Sequence, residues 1–259
     1  YPALVLSIIG LWAFFASKGT PGDVVPGAIA VEGESAKKQL ADYGHDETPA
    51  VMTILKTLIK MPIYRQLLVF SFLTTLLRSV FLIWTPKFLF DIGQGASAAI
   101  LKSAVFPLLG VAGTLFIGWY TDHYARNGDR ARMMWIMLAV LVICTFSISI
   151  LSAAENPNYN LIIFFLGGSG FFLLGPYSMS SGALTLDIAG AKGAGSCTGI
   201  IDGMGYIGGA IAAFAAGAMS DSLGWSQVFV VLTGFAAVSA LSAYGMSRGF
   251  QKLARDSEA

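Results

Sequence analysis

Long apolar segments alternate with short polar ones along most of the chain. A bilayer core requires about 20 apolar residues of helix, at a rise of 1.5 Å each, and seven segments reach or approach that length. No stretch shows the strict alternation that is typical of a strand. The pattern therefore predicts an all-α membrane protein with apolar segments at 2–16, 66–90, 97–121, 133–153, 160–183, 196–218 and 227–247.

The stretch between the first two segments is polar, rich in glycine, proline and charged residues, and has no long apolar face before Val51. This composition predicts a solvated linker, with a short amphipathic helix at 51–61 lying along the membrane surface. The expected organisation is the end of a truncated transmembrane helix (1–16), a cytoplasmic linker (17–62), six transmembrane helices (63–247) and a cytoplasmic tail (248–259).

Positive charge appears in every second connection between the segments. Cytoplasmic loops of membrane proteins carry an excess of lysine and arginine, so the alternation predicts that the linker and the C-terminus face the cytoplasm, with the plasma (inner) membrane as the expected location. The basic connections contain Lys18, Lys37, Lys38, Lys56, Lys60, Arg65, Arg126, Arg130, Arg132, Lys192, Arg248, Lys252 and Arg255.

Composition supports a membrane protein and excludes several other classes. The chain is 55% hydrophobic and only 12% charged, whereas soluble domains are nearer a quarter charged. The net charge of +1 and the absence of a basic run with interleaved aromatics argue against nucleic acid as a partner. Cys144 and Cys197 lie in apolar segments and are expected to be small core residues. No cofactor or metal is expected.

A faint repeat relates two parts of the chain at an offset of 99 residues. One copy ends a helix on the predicted cytoplasmic side and the other ends one on the opposite side. Such a pattern is typical of a three-plus-three inverted repeat. The related residues are Gly110, Gly118 and Asp122 in the first copy and Gly209, Gly217 and Asp221 in the second.

A permanent charge, Arg78, lies within the apolar run "LLRSVFLIWTPKF" (76–88). Placing arginine near the centre of a transmembrane helix costs about 2.5–3.5 kcal/mol on insertion scales, and its planar fork matches the oxygens of phosphate. The alternatives are a structural ion pair or snorkelling to the interface. Asp202, the second charge inside a predicted span, is a candidate partner of Arg78, a proton site, or a residue near the cytoplasmic face.

The segment "GWYTDHYARNGDRAR" (118–132) resembles the glycine, aspartate and arginine loop motif of the major facilitator superfamily. The resemblance implies that Gly118 allows two helices to touch and that Asp122 caps a helix or pairs with an arginine such as Arg126. These three residues would form a gating loop that controls conformational change without binding substrate.

A narrower resemblance follows from "LLRSVFLIWTPKFL", "GWYTD", "LLGPYSM", "GAKGAGSCTG" and "GMGYIGG", which occur in that order. The chain looks like the C-terminal half of an organophosphate:phosphate antiporter, the family of glycerol-3-phosphate and hexose-6-phosphate exchangers. By this resemblance Arg78 binds the substrate phosphate and Tyr206 faces the pathway, with Trp84 and Asp202 as further substrate-binding residues. Thr75 and Leu174 stand where family members often have tyrosine.

The resemblance implies a secondary transporter that exchanges an organic phosphate for inorganic phosphate by alternating access, with the bilayer and an N-terminal six-helix half as partners. Two alternatives stay open: a transporter of another organic anion, such as a carboxylate, and a sugar-phosphate sensor of the same fold. Enzymatic activity is not expected, because His45 and His123 both lie in predicted loops, where neither serves as a base inside the membrane. No ring of channel-filter residues is apparent.

Overall fold

A computed structural model describes residues 58–124 and 129–258, and the regular structure in these ranges is helical. Six stretches are long and apolar enough to cross a membrane, and each overlaps one of the last six predicted segments. The predicted helix at 2–16 and nearly all of the predicted linker lie outside the described residues. The helices are α1 (Pro62–Asp91), α2 (Ala96–Ser103), α3 (Val105–Tyr124), α4 (Ala131–Ser152), α5 (Tyr159–Met179), α6 (Ala183–Leu223) and α7 (Trp225–Glu258).

Local chemistry explains where α1 begins and ends. Pro62 occupies the start of the helix, where its missing N–H would have no intrahelical partner. At the other end the N–H of Gln94 donates to the carbonyl of Leu89 and that of Gly93 to Phe90, both at 3.0 Å. Gly93 has a φ of +106°, the left-handed conformation that this type of helix end requires.

Proline and asparagine mark two further helix boundaries. Pro107 lacks the N–H that would bond the carbonyl of Ser103, and the second span, Ala96–Tyr124, is interrupted at Ala104 between α2 and α3. Asn158 caps the start of α5, where its side-chain oxygen accepts from the N–H of Leu161 at 3.2 Å.

Helix α6 doubles back on itself. In a straight helix Thr185 and Thr198 would lie about 20 Å apart, yet the hydroxyl of Thr198 donates to that of Thr185 at 3.2 Å. The chain therefore reverses between these residues, which separates the candidate spans Tyr159–Thr185 and Gly195–Leu223. Thr185 and Thr198 lie on either side of Lys192, so the reversal falls at the basic connection that contains this lysine.

Glycines allow the helices to pack with their backbones in direct contact. A Cβ at Gly113 of α3 would collide with the carbonyl of Phe171 in α5, and one at Gly170 of α5 would collide with the carbonyl of Phe106 in α3. The same device joins α6 to α1, where Gly205 lies against Thr75 and Gly209 against Ser79. Small residues at such crossings are expected where lipid supplies no hydrophobic driving force.

The helix pairs follow the symmetry that the repeat predicted. Suppose that α1, α3 and α4 are exchanged with α5, α6 and α7, respectively. The α3–α5 pair then becomes the α6–α1 pair, and the α4–α5 pair becomes the α7–α1 pair. All four pairs are in contact. The α4–α7 pair converts into itself. Helix α1 contacts α6, α7 and α5, so the faces of α1 that meet these helices lie inside the bundle.

Candidate functional site

Arg78 lies near the middle of α1, half-buried among apolar neighbours. Its Nε is shielded from solvent and has no hydrogen-bond acceptor in the described part of the chain. The guanidinium carbon lies 4.7 Å from the centre of the Tyr177 ring, which belongs to α5. This distance is within the range of a cation–π interaction.

No carboxylate neutralises Arg78 among the described residues. The ion pairs there join Lys87 to Asp91 and Asp221, and Arg130 to Asp122. A guanidinium inside an apolar bundle normally pairs with an acid or with backbone carbonyls. In the described part of the chain, the positive charge of Arg78 therefore has no acid paired with it, and its Nε has no acceptor.

The contacts between α1 and α6 determine which other residues share the side of Arg78. The Ser71 hydroxyl donates to the carbonyl of Ile201 at 3.0 Å, an offset of 130 residues, and Thr75–Gly205 and Ser79–Gly209 keep that offset. The two helices therefore run in the same direction and in constant register.

Helical geometry then places Arg78, Asp202 and Tyr206 on one side of the α1–α6 pair. Successive residues are rotated by about 100°. Consider two parallel helices that touch at one residue of each. The residue just before the contact on one helix and the residue just after the contact on the other then project to the same side of the pair. Arg78 precedes Ser79, Tyr206 follows Gly205, and Asp202 follows Ile201.

The register also gives the depths of these residues along the helices. Tyr206 is level with Leu76, about 3 Å along the axis from Arg78, and Asp202 is level with Phe72, about 9 Å away. Tyr206 is 66% exposed and Asp202 is half-buried. Asp202 forms no salt bridge with Arg78 in the described structure, so the predicted pairing of these two residues is not observed.

Helix α5 lies near the same side of the α1–α6 pair, and its chain direction is opposite to that of α6. The hydroxyl of Thr198 donates to the carbonyl of Ser181, just beyond the end of α5, at 3.0 Å. Tyr177 lies one helical turn before Ser181, and Asp202 lies one turn after Thr198. Residues of three membrane-spanning segments thus lie on the side of the α1–α6 pair that Arg78 faces.

Trp84, which the resemblance included with the substrate-binding residues, does not join this group. Its Nε1 donates to the carbonyl of Ala213 at 3.2 Å, and its ring fills the space beside Gly217. The indole is therefore engaged in packing between α1 and α6, further along the axis than Arg78.

A charged cluster lies near the C-terminal end of α1. Lys87 pairs with Asp91 at 2.7 Å and with Asp221 at 3.3 Å, and Trp225 donates to Asp91 at 2.9 Å. This cluster ties α1 to α6 and α7, and it is separated from Arg78 by nine residues, about 14 Å of helix.

The predicted gating loop is described in part. Asp122 pairs with Arg130 at 3.6 Å, across the connection between α3 and α4, whereas Arg126 lies outside the described residues. A Cβ built on Gly118 would meet nothing within 4 Å. The expected helix contact at Gly118 is therefore absent from the described bundle; in α3 that role belongs to Gly110 and Gly113, which face α5.

Sequence reasoning missed one member of the site, Tyr177. In the motif "LLGPYSM", the family resemblance singled out Leu174, before the glycine and proline, and not Tyr177. Tyr177 is one helical turn after Leu174 and thus on a similar face. A search for aromatic residues one turn away from the family position would have found it.

Comparisons with known proteins identify a family and several relatives. Residues 2–213 match the Major Facilitator Superfamily model. The chain is 28% identical over 160 residues to the glucose-6-phosphate exchanger SLC37A1 of Homo sapiens, covering 59% of this chain and 29% of that protein. It is 30% identical over 137 residues to the membrane sensor protein UhpC of Escherichia coli, covering 53% and 30%.

A third relative is the putative glycerol-3-phosphate transporter 4 of Arabidopsis thaliana, 26% identical over 175 residues, with 62% and 30% covered. The matched region thus spans less than a third of each relative. Six candidate spans are the number in one half of a major-facilitator transporter. With its family match extending over most of its length, the chain belongs to the Major Facilitator Superfamily.

Proposed function

We propose that the protein containing this chain is a secondary transporter that exchanges an organic phosphate, a sugar phosphate or glycerol phosphate, for inorganic phosphate. The six described spans form one half of it, and the substrate site is shared with a second six-helix half. Alternating access moves the site from one side of the bilayer to the other. No catalytic step and no cofactor are involved.

The observation that carries this proposal is the state of Arg78. Its guanidinium is half-buried, faces no carboxylate in the described structure, and carries an Nε without an acceptor. Phosphate satisfies such a group, because its oxygens match the fork of donors two at a time. The phosphate-bearing substrates in the names of two relatives support the same choice of anion.

The remaining site residues take subordinate roles in the proposal. Tyr206 and Asp202 line the side of the pathway that Arg78 faces, where Asp202 either accepts substrate hydroxyls or exchanges a proton. Trp84 supports the site by holding α1 against α6. The loop with Gly118, Asp122 and Arg126 controls the conformational change from the side of the membrane that the basic loops assign to the cytoplasm.

The test is phosphate counterflow in liposomes that contain the full-length protein. Arg78→Lys keeps the charge but loses the bidentate fork. A hydrogen bond to a charged group contributes about 1.5–3 kcal/mol, so the affinity for phosphate should fall about 10- to 150-fold. Arg78→Ala should abolish exchange, while its melting temperature stays at or above that of the wild type because a membrane-buried charge is removed.

The control is Arg248→Lys, the same change at an exposed arginine of α7 that also lies over a tyrosine ring, Tyr244, at 5.8 Å. It should exchange phosphate like the wild type. Wild-type exchange by Arg78→Lys, or a loss of activity that parallels a loss of folded protein, would show that the arginine is structural and that the phosphate hypothesis fails.

Similarity to a membrane sensor protein supports a second candidate function, a receptor that binds sugar phosphate without useful flux. The same preparation distinguishes the two. A sensor raises its melting temperature with sugar phosphate yet shows no counterflow, whereas a transporter shows both. A transporter of another organic anion would be inhibited by dicarboxylates and insensitive to organic phosphates.

A further inference from the structure

We infer that Tyr177 is a positioning residue, whose ring holds the guanidinium of Arg78 in place while leaving its N–H donors free for the phosphate of the substrate. This inference rests on the proposed function, because it assigns a role within the same anion site.

The geometry supports direct contact between the two side chains. The guanidinium carbon of Arg78 is 4.7 Å from the centre of the Tyr177 ring, and both residues are half-buried. They come from different helices, α1 and α5, so the contact depends on the assembled bundle and not on neighbouring positions in the chain.

The backbone beneath Tyr177 is tightly held. Gly175 and Pro176 are both buried. A Cβ added to Gly175 would lie 2.8 Å from the carbonyl oxygen of Gly113 and 2.7 Å from a methyl of Met137. α3 and α4 thereby restrain this turn of α5, and the ring that follows it is a stable support for a long, flexible arginine.

The chemistry of the contact explains why a ring suits this position better than an acid. An aromatic ring attracts a cation through its quadrupole. It does not place strong lone-pair acceptors on the N–H donors, as a carboxylate would. An acid would neutralise Arg78 and compete with phosphate for the same fork. Tyr177 instead stabilises the cation in the empty site and leaves its charge uncompensated, as anion binding requires.

Charge in the rest of the surroundings agrees with this role. Of the described acids, Asp202 lies on the same side but about 9 Å along the helix axis and forms no ion pair with Arg78. Asp91, Asp122 and Asp221 are engaged with Lys87 or Arg130. The Tyr177 ring is in contact with the guanidinium.

The experiment compares Tyr177→Phe with Tyr177→Leu in the full-length protein, by phosphate counterflow and by phosphate-dependent thermal melting. The phenylalanine retains the ring and should bind phosphate like the wild type. The leucine removes the ring and should weaken phosphate binding about 5- to 30-fold, the effect expected for a desolvated cation–π contact. Tyr244→Leu, which removes the equivalent contact from exposed Arg248, should leave exchange unchanged.

A double-mutant cycle separates positioning from simple packing. If Tyr177 acts through the fork of Arg78, Tyr177→Leu should add little to the loss already caused by Arg78→Lys, because the two changes remove one shared interaction. If the leucine variant does not fold, Tyr177→Met is the ring-free replacement for both measurements.

Three results would overturn the inference: wild-type phosphate binding by the ring-free variant, equal losses for the phenylalanine and leucine variants, or fully additive losses in the cycle. These outcomes are distinguishable from failure of the proposed function. If Arg78→Lys exchanges like the wild type, the phosphate proposal itself is wrong. If Arg78→Lys is defective and the ring-free variant is not, only the role of Tyr177 is wrong.

Discussion

At the scale of single residues, the most informative feature is a cation that the surrounding protein stabilises without neutralising. Arg78 is recognisable from sequence because a charge in an apolar run is costly and needs a reason. The run that contains Arg78 does not by itself show what surrounds the guanidinium, because Tyr177 lies about 100 residues away in the chain. Under the proposed function, the contact between them distinguishes an anion site from an ordinary buried ion pair.

Asp202 gives a prediction at the same scale. If this carboxyl exchanges a proton or binds the substrate, Asp202→Asn should change the pH profile of exchange while membrane insertion is retained. The physical reason is that the amide cannot titrate, so the remaining profile reflects the other groups and the phosphate itself. The measurement is counterflow as a function of pH.

Glu155→Gln is the matched control for Asp202→Asn, because Glu155 is exposed in the connection between α4 and α5. Its profile should equal that of the wild type. An unchanged profile and affinity in Asp202→Asn would assign Asp202 to helix packing or to surface exposure.

At the scale of elements, glycines determine where the helices pack closely against one another. The α3–α5 and α6–α1 pairs both depend on glycines that face a neighbouring backbone or a small side chain. Gly205 and Gly209, four residues apart in "GMGYIGG", form a contact surface against Thr75 and Ser79 of α1. Gly118 meets no partner in the described bundle, so the helix contact expected there stays a prediction. A small residue shows that close approach is permitted but not where a partner lies.

Gly113→Ala tests this packing. The added Cβ would collide with the carbonyl of Phe171 on α5, and overpacking of this kind typically costs about 1–3 kcal/mol. We expect a lower melting temperature in detergent. Gly234→Ala, in α7, is the control, because a Cβ there has open space and alanine favours helix over glycine by up to about 1 kcal/mol. Equal melting of the two variants would contradict the packing in this structure.

At the scale of the whole molecule, the six spans pair in a way that survives exchange of the first three with the last three. The repeat of Gly110 and Gly209 has a structural counterpart, since the first packs on α5 and the second on α1, and these two helices exchange under the symmetry. This arrangement is that of the three-plus-three inverted repeat nested in each half of a major-facilitator transporter.

Sidedness is the corresponding prediction. In the full-length protein with Cys144 and Cys197 replaced by alanine, single cysteines at Asn127 and Ala259 should react with an impermeant maleimide only from the cytoplasm. A cysteine at Asn158 should react only from outside. The reason is the alternation of basic and neutral loops. Labelling of the Asn127 and Asn158 positions from the same side would contradict the six-span topology.

The sequence by itself determined the class of protein and the six spans, and it singled out Arg78 as a charge within a span. These features are local: the bilayer acts on each segment of about 20 residues separately, and the penalty for a buried charge depends on the run that contains it. Helix ends were also nearly determined, because proline, glycine and asparagine act on their own turns. The predicted and observed ends of the helices differ by a few residues, and these differences do not change any span.

Only the tertiary structure decided what each candidate side chain touches. Trp84 belongs to the same motif as Arg78, yet it packs against α6. Asp122 pairs with Arg130. Gly118 meets no partner in the described bundle. Tyr177 enters the site from α5. These outcomes depend on the rotation and register of one helix against another, which are set by contacts such as Ser71–Ile201 and Gly113–Phe171. Such contacts join residues far apart in the chain, so no local pattern specifies them.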